Sequence, residues 1–481
     1  MFIYLNNVFV SISAFLNLLI IFLNNMISMG IHILFPFHFG EFNELKLKKT
    51  DIYLFKNYLL TKPDFKYHKL KLAWNEAICN AFAMDNNIKI IDLKGLENMK
   101  NSGEKVSIFD PLDFDLLEIF NNIFGKDLDI LELNSSFMLK NKDLDDIFKK
   151  MVKNDKSHLS HKVFFDHVKN TLDILKGVKS TDLDNRESIK KLKVDIPKFP
   201  NFINKGNMLK ICEDAIKYVN DNFSKNPGIA DNLKHLPICK KDSILYFNKF
   251  IKERLHLYGK MQDAIDNDAV VLFHSHCSYL LNVGLLTPKY VIDAVIKESC
   301  FALELCKSNN NNEITINNIE GFIRQVLGWR EYMRFIYHFW GKELKKEMIL
   351  LKGESLNFNS WYNGKTGFLP IDNEIKKIDS WAWSHHIIRL MIFLNFMKLN
   401  EIRVYDIYKW FITFVSLDAF EWVMVSNIMA MGFYNKRFMR RGYTSSSNYI
   451  LKMSNYKKDG NWDIVWDNLY KDYVKKYGRF A

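Results

Sequence analysis

Between Ile31 and about Ile130 the apolar positions fall in short runs separated by amphipathic stretches. "IHILFPF", "DIYLFKN" and "IKIIDLK" are rich in β-branched and aromatic residues and read as strands. "HKLKLAWNEAICNAFAMDN" spaces its apolar residues at helical intervals and predicts the helix ahead of the third run. Strand and helix in alternation predict an α/β domain with a parallel sheet, over residues 29–156. No G-x-G-x-x-G follows the first strand, so the dinucleotide fingerprint is absent. From Ser157 to Pro227 the chain turns polar, and "KSTDLDNRESIKKL" and "VDIPKFPNF" predict a connection lying over the surface, within a segment 157–241. From Asp242 helical periodicity dominates to the end, broken once by the Asn-rich "KSNNNNEITINN", and predicts a large all-α domain over 242–481.

Residues 1–28 are different. "VFVSISAFLNLLIIFL", Val8 to Leu23, is apolar, and no charged side chain precedes Glu41. Two readings stand: a membrane anchor or signal segment, and an apolar extension upstream of a natural start at Met29. Asn17 interrupts the run, no basic flank orients it, and almost no linker separates it from the first strand. The extension is the favoured expectation, with a soluble intracellular protein behind it.

Bulk composition narrows this picture little. The chain of 481 residues is long enough for two or three domains, and 48% hydrophobic with 25% charged residues is ordinary for a soluble globular protein. Aromatics at 15% are in excess, which suits planar ligands and thick helical cores alike. The net charge of +12 allows a polyanionic partner, and Lys436, Arg437, Arg440, Arg441, Lys452, Lys457 and Lys458 concentrate that charge near the C-terminus. None of the six cysteines forms a C-x-x-C pair, and Cys300 and Cys306 would point apart on a helix. Free thiols in a reducing compartment are expected.

Four stretches mix polar groups into apolar periodicity. In "EGFIRQVLGWREYMRFIYHFW", Phe322, Val326, Trp329, Met333, Ile336 and Trp340 make one seam, with Gln325 one turn from Trp329. It reads either as a core helix with solvated charges or as the wall of a site. "SWAWSHHIIRLMIFLNF" carries His385 and His386, about 100° apart if helical, and Arg389 one turn on. A guanidinium buried there needs an anion. "VSLDAFEWVMVSNIMAMGFY" supplies Asp418, the natural partner for Arg389, along with Glu421 and Asn427. "FHSHCSYLLNVGLLTP" sets His274, Ser275 and Ser278 before an apolar helix, where they serve either as caps or as anion ligands.

Taken in order, these stretches resemble the photolyase/cryptochrome family, and most of all its iron–sulfur branch, the bacterial (6-4) photolyases. Glu320 to Tyr332 matches the family's E-G-F-I-R-Q-x-x-G-W-R-E-Y, and Trp383 to Met391 its Y-A-H-H-I-Q-R-L-M. Asp418 to Asn427 matches D-A-Y-E-W-V-x-x-P-N, with Ser426 in place of Pro. "LFHSHCSYLLNVGLL" is similar to L-F-H-S-x-L-S-P-x-L-N-x-G-L-L, "YGKMQDAI" to F-G-x-Y-Q-D-A-M, and "YHKLKLAW" to F-H-K-x-K-L. The resemblance implies a Rossmann-like antenna domain followed by an all-helical FAD-binding domain. It puts Tyr258, His274, Ser275 and Ser278 along the flavin phosphates, and Arg389 and Asp418 beside the ring system. Gln325 and Trp329 would line the lesion pocket, and His386, with His385 as neighbour, would be the catalytic histidine. UV-damaged DNA is the implied partner, with no protein partner and a monomeric state expected.

Departures accompany the match. The branch's 4Fe–4S cluster ligands would fall at Pro370, Lys457, Gly460 and Val465, so no cluster is expected. Phe335 stands where the family places Gly, which predicts crowding of the pocket. The antenna chromophore is not legible in "LFPFHFGEF", and a ribityllumazine is the family expectation. Light-driven repair of (6-4) lesions is the first functional reading. The alternative is a photoreceptor or degenerate DNA-binding member without repair, and a membrane-anchored protein rests only on the segment before Met29.

Overall fold

A computed structural model describes residues 30–45, 47–48, 51–152, 159–305 and 314–478. The apolar segment Val8–Leu23, most of the Asn-rich loop and Cys306 lie outside them. Among the described residues, no helix is long and apolar enough to cross a membrane.

The N-terminal region is the α/β domain that the alternation predicts. Five short strands, β1 (Ile31–Leu34), β2 (Ile52–Phe55), β3 (Lys89–Ile91), β4 (Val106–Phe109) and β5 (Leu128–Leu131), form one parallel sheet in the order β3-β2-β1-β4-β5. Parallel pairing needs crossovers. Those after β2, β3 and β4 are α1 (Lys69–Asn86), α2 (Leu93–Ser102) and α3 (Phe114–Phe124). His68 caps α1 by accepting the Leu70 amide at Nδ1 (3.0 Å), and Asn87 ends it in the left-handed region at φ +54°.

Helix α1 also docks the sheet onto the helical region, which explains why it is buried on most of its faces. Its Lys71 ammonium donates to the Leu417 carbonyl (3.1 Å) and sits 4.1 Å from the Phe420 ring centroid. The Trp74 indole donates to the Pro237 carbonyl (3.2 Å). A second junction is steric. Gly284 lies at φ +76°, and a Cβ there would stand 2.2 Å from the Gly40 nitrogen, so only glycine permits the approach.

The segment 157–241 does more than connect. It contains two helices, α4 (His161–Leu172) and α5 (Gly206–Asn222), and Phe164 and Phe165 of α4 are buried. Beyond it the chain is helical, as expected. The longer elements are α6 (Lys240–Glu253), α7 (Pro288–Leu305), α8 (Ile316–Ile323), α9 (Glu331–Leu350), α10 (Leu369–Trp381), α11 (Val404–Thr413), α12 (Glu421–Met431) and α13 (Trp462–Tyr477). Two π-helical segments interrupt the α geometry, Arg324–Arg330 between α8 and α9, and Ile388–Leu394 after α10. Periodicity does not predict them. They widen the helix locally, and such widenings concentrate at functional sites.

Candidate active site

The two π-helical segments face a single cavity of about 1190 Å³. A drug-sized pocket is usually ~300–1,000 Å³, so this one has room for an extended ligand together with a second planar group. All ten residues singled out in the sequence line it: Tyr258, His274, Ser275, Ser278, Gln325, Trp329, His385, His386, Arg389 and Asp418.

Arg389 and Asp418 are a pair, as their types suggested. Arg389 Nη2 donates to Asp418 Oδ1 (2.8 Å), and its Nε donates to the Ser384 carbonyl (2.7 Å). The other Asp418 oxygen accepts the Ser278 hydroxyl (2.5 Å), and that hydroxyl accepts the Trp383 indole N–H (3.2 Å). Ser278 is therefore committed to Asp418 rather than free for an anion, and it opens a helix of only five residues, Ser278–Asn282. Asn282 fixes the backbone by donating to the Asp418 carbonyl (2.8 Å).

The two adjacent histidines do not share a helix. His385 lies in the extended link after α10, and helical geometry begins at His386. They differ in exposure: His385 is buried, while the His386 side chain is 45% exposed, with 6.1 Å between the ring centroids. The His385 ring stacks on His274 at 4.2 Å between centroids, and His386 Nε2 stands 3.7 Å from Asp263 Oδ1. Burial pushes His274 and His276 down to about 3 and His161 down to about 4, and it holds His385 well below the usual imidazole range. Those four rings are neutral at physiological pH, leaving His386 as the solvent-open imidazole of the group.

Trp329 is fixed by donating its indole N–H to Asn427 Oδ1 (2.9 Å), with the His161 ring 5.2 Å away edge-on. Gln325 lines the same wall. The charges beside them are spent elsewhere. Arg330 donates to the Ser136 carbonyl (2.7 Å), Glu331 accepts the Met138 amide (2.8 Å), and Arg334 donates to Asn141 Oδ1 (2.8 Å). Phe137 lies between the two guanidinium groups, 4.3 and 4.4 Å from its ring centroid. The stretch is thus both cavity wall and clamp on the loop after β5. The expected crowding by Phe335 does not occur: its buried ring packs among Phe164, Phe339 and Trp340, outside the cavity lining.

Sequence reasoning missed the wall contributed by α4 and the loop after it. His161 and Phe165 line the cavity, and Asp182 accepts a 2.8 Å bond from Arg324 that ties the loop to the π-helical segment. The signal was present in "HKVFFDHVKN", an amphipathic aromatic run inside a stretch judged by its polar average. Lys162, Lys179, Arg186 and Arg441 also line the cavity as a cationic border, partly neutralised where Asp166 pairs Lys162 (3.0 Å) and Asp182 pairs Arg186 (2.6 Å).

No family model matches the chain. It is 33% identical over 253 residues to a (6-4) photolyase of Agrobacterium fabrum, a match spanning 51% of this chain and 46% of that relative. The chain thus aligns with about half the length of that curated relative. Its fold is similar to the crystal structure of a bacterial class III photolyase from Agrobacterium tumefaciens, with a TM-score of 0.52 at 13% identity over 93% of this chain and 87% of that one. It is equally similar to a Synechocystis cryptochrome, with a TM-score of 0.51 at 12% identity over 93% and 88% of the two chains.

Proposed function

We propose that the chain is a member of the photolyase/cryptochrome family, whose members typically bind FAD, and that it repairs UV-induced dipyrimidine lesions of the (6-4) type in a light-driven reaction, acting on DNA as a monomer. The observation that carries this reading is convergence. An amide (Gln325), a solvent-open imidazole (His386) and a guanidinium–carboxylate pair (Arg389 and Asp418) border one cavity, although they are far apart in sequence.

The residues present fit a flavin. Buried polar atoms of the lining have no hydrogen-bond partner among the described residues: His274 Nδ1, His276 Nε2, Ser384 Oγ and both His385 nitrogens. Buried polar atoms rarely stay unpaired, so this set supports a ligand rich in donors and acceptors. Tyr258, His274 and Ser275 would hold its phosphate side, and Arg389 and Asp418 its ring system. Bound FAD, when reduced and excited by light, supplies the electron for lesion cleavage.

The chain supplies the rest. Arg389, itself neutralised by Asp418, offers positive charge where negative charge accumulates. Gln325 presents an amide to the edge of a base flipped out of the duplex, and Trp329, held by Asn427, gives it a flat wall. His386 donates a proton from its ring to the lesion, with the Asp263 carboxylate 3.7 Å from its Nε2. The cationic border and the basic C-terminal cluster bind the phosphates on either side.

We further propose that no 4Fe–4S cluster is bound. Two of the matching positions, Lys457 and Gly460, flank a knot built on Trp462 and Trp466, both fully buried, with Phe396 bridging Trp466 to Phe368. Tyr456 donates to Glu374 (3.0 Å) in the same region. Aromatic packing beside the positions where the branch would hold its cluster favours a second reading, a family photoreceptor without repair. One experiment separates the two. Protein reconstituted with FAD, reduced and illuminated on (6-4)-containing oligonucleotide should remove the lesion, and His386→Ala should lower the rate ~100-fold or more while retaining flavin. Flavin binding with no lesion loss in the unmutated protein refutes repair and leaves the photoreceptor.

A further inference from the structure

His274, His385 and His386 each bring one ring nitrogen to within 4.8 Å of the others. Two of the three rings are buried, and their lone pairs are not engaged. His274 Nε2 meets the Gln262 carbonyl at 3.0 Å, so it carries the proton and leaves Nδ1 as the bare nitrogen. That Nδ1 has no partner among the described residues, nor has either nitrogen of His385. An imidazole whose N–H is anchored by a backbone carbonyl, with the opposite nitrogen free, is the arrangement of a metal-ligating histidine. Asp263 stands behind the third ring, 3.7 Å from His386 Nε2, where a carboxylate can orient it.

We propose that these three histidines form a binding site for zinc(II). Three neutral imidazoles with one position open to solvent suit this borderline ion, whereas calcium and magnesium prefer oxygen donors. Zinc–nitrogen bonds of ~2.1 Å place tetrahedral ligand atoms ~3.4 Å apart, so the set must close by about an ångström. The near-parallel stack of His274 on His385, 17° between planes, also has to open. Rotating the His385 ring opens the stack and breaks no hydrogen bond, because that ring makes none among the described residues, and the exposed His386 side chain supplies the remaining movement. The fold's other close acidic group, Asp113, Asp115 and Glu421, is already neutralised by Lys62 and Lys345 and offers nothing to a cation.

The proposal does not depend on the repair reading, but it bears on it. A zinc ion here would occupy His386, which the lesion needs, and the His274 and His385 nitrogens that a flavin would engage, so zinc competes with lesion and flavin alike.

Equilibrium dialysis of untagged, full-length protein against zinc chloride, with metal analysis, tests the site. One zinc per chain is expected, and His274→Gln, His385→Gln and His386→Gln should each weaken binding at least ~10–100-fold, the loss typical of removing even an outer-shell partner. His386 is half exposed, so His386→Gln keeps the test valid if the buried variants misfold. Copper(II) in the same protein should then show hyperfine coupling to three imidazole nitrogens by electron paramagnetic resonance. Absence of stoichiometric zinc, or binding indifferent to these substitutions, overturns the site. Zinc binding without repair in metal-free protein would keep the site and sink the repair reading; repair without zinc binding would do the reverse.

Discussion

The Arg389–Asp418 pair can be weighed by a double-mutant cycle of Asp418→Asn and Arg389→Met. Removing one partner of a buried ion pair costs ~3–5 kcal/mol, because the survivor is left buried and uncompensated. Here that figure needs discounting. The side chains are 16% and 9% exposed, Arg389 keeps its bond to the Ser384 carbonyl, and asparagine still offers Arg389 a neutral acceptor. Each single change should therefore destabilise by ~2–3 kcal/mol, and the double variant by less than their sum. The cycle should give a coupling energy of ~1.5–2 kcal/mol, within the range for residues in direct contact. Urea unfolding followed by tryptophan emission measures all four proteins. Asp418→Asn also leaves Ser278 an acceptor, so a loss confined to that variant would implicate the hydroxyl bond instead. A coupling energy below ~0.5 kcal/mol would refute the argument that this pair holds the cavity's charge in place.

Two further predictions concern the junction between sheet and helices. Glu421 accepts from Lys62 (2.9 Å), Lys345 (2.7 Å), the Phe114 amide (2.9 Å) and the Tyr337 hydroxyl (2.8 Å), all while buried. Glu421→Gln should cost ~3 kcal/mol by chemical unfolding, the lower end for a broken buried network because Lys62 keeps Asp113; a loss under ~1 kcal/mol would mean that the network is decorative. Burial pushes the Lys71 ammonium down to about 7 from an ordinary 10.5, against the pull of Asp418. Between those values the unfolded chain holds a proton that the native state lacks, so Lys71 makes stability rise with pH, by at most ~5 kcal/mol across the window. Relative to Lys71→Met, the unmutated protein should gain ~2 kcal/mol between pH 7 and 9, and parallel pH profiles for the two would contradict this.

The strands and α1 were legible because short β-rich runs and a helical spacing are local signals, and the parallel sheet confirms them. The Arg389–Asp418 pairing was legible for another reason: a cation on an apolar helix must find an anion, and Asp418 stood in the next apolar run. What escaped depends on geometry that periodicity does not encode. Two π-helical turns shift Gln325, Trp329 and Arg389 relative to an α-helical reckoning, and a non-helical link leaves His385 buried while His386, the next residue, is exposed. Phe335 was placed in the pocket by its position in a motif, whereas the structure turns it into the aromatic cluster with Phe164. The contribution of His161 and Asp182 was hidden by polar composition, since a loop tied down by Arg324 reads the same as a solvated one. The charges of the Glu320–Trp340 stretch answer to the loop after β5 as much as to the cavity, and that loop is remote in sequence.

Flavin binding at the shared cavity is the measurement closest to the central claim. Titration of FAD into the purified protein, followed by flavin fluorescence, should saturate at one equivalent per chain. Substituting Ser275→Trp, which puts a bulky ring at a lining position proposed for the phosphate side, should abolish saturation while leaving the far-ultraviolet circular dichroism unchanged. If FAD fails to saturate the unmutated protein, or binds the blocked variant equally well, then Gln325, His386, Arg389 and Asp418 do not surround a flavin.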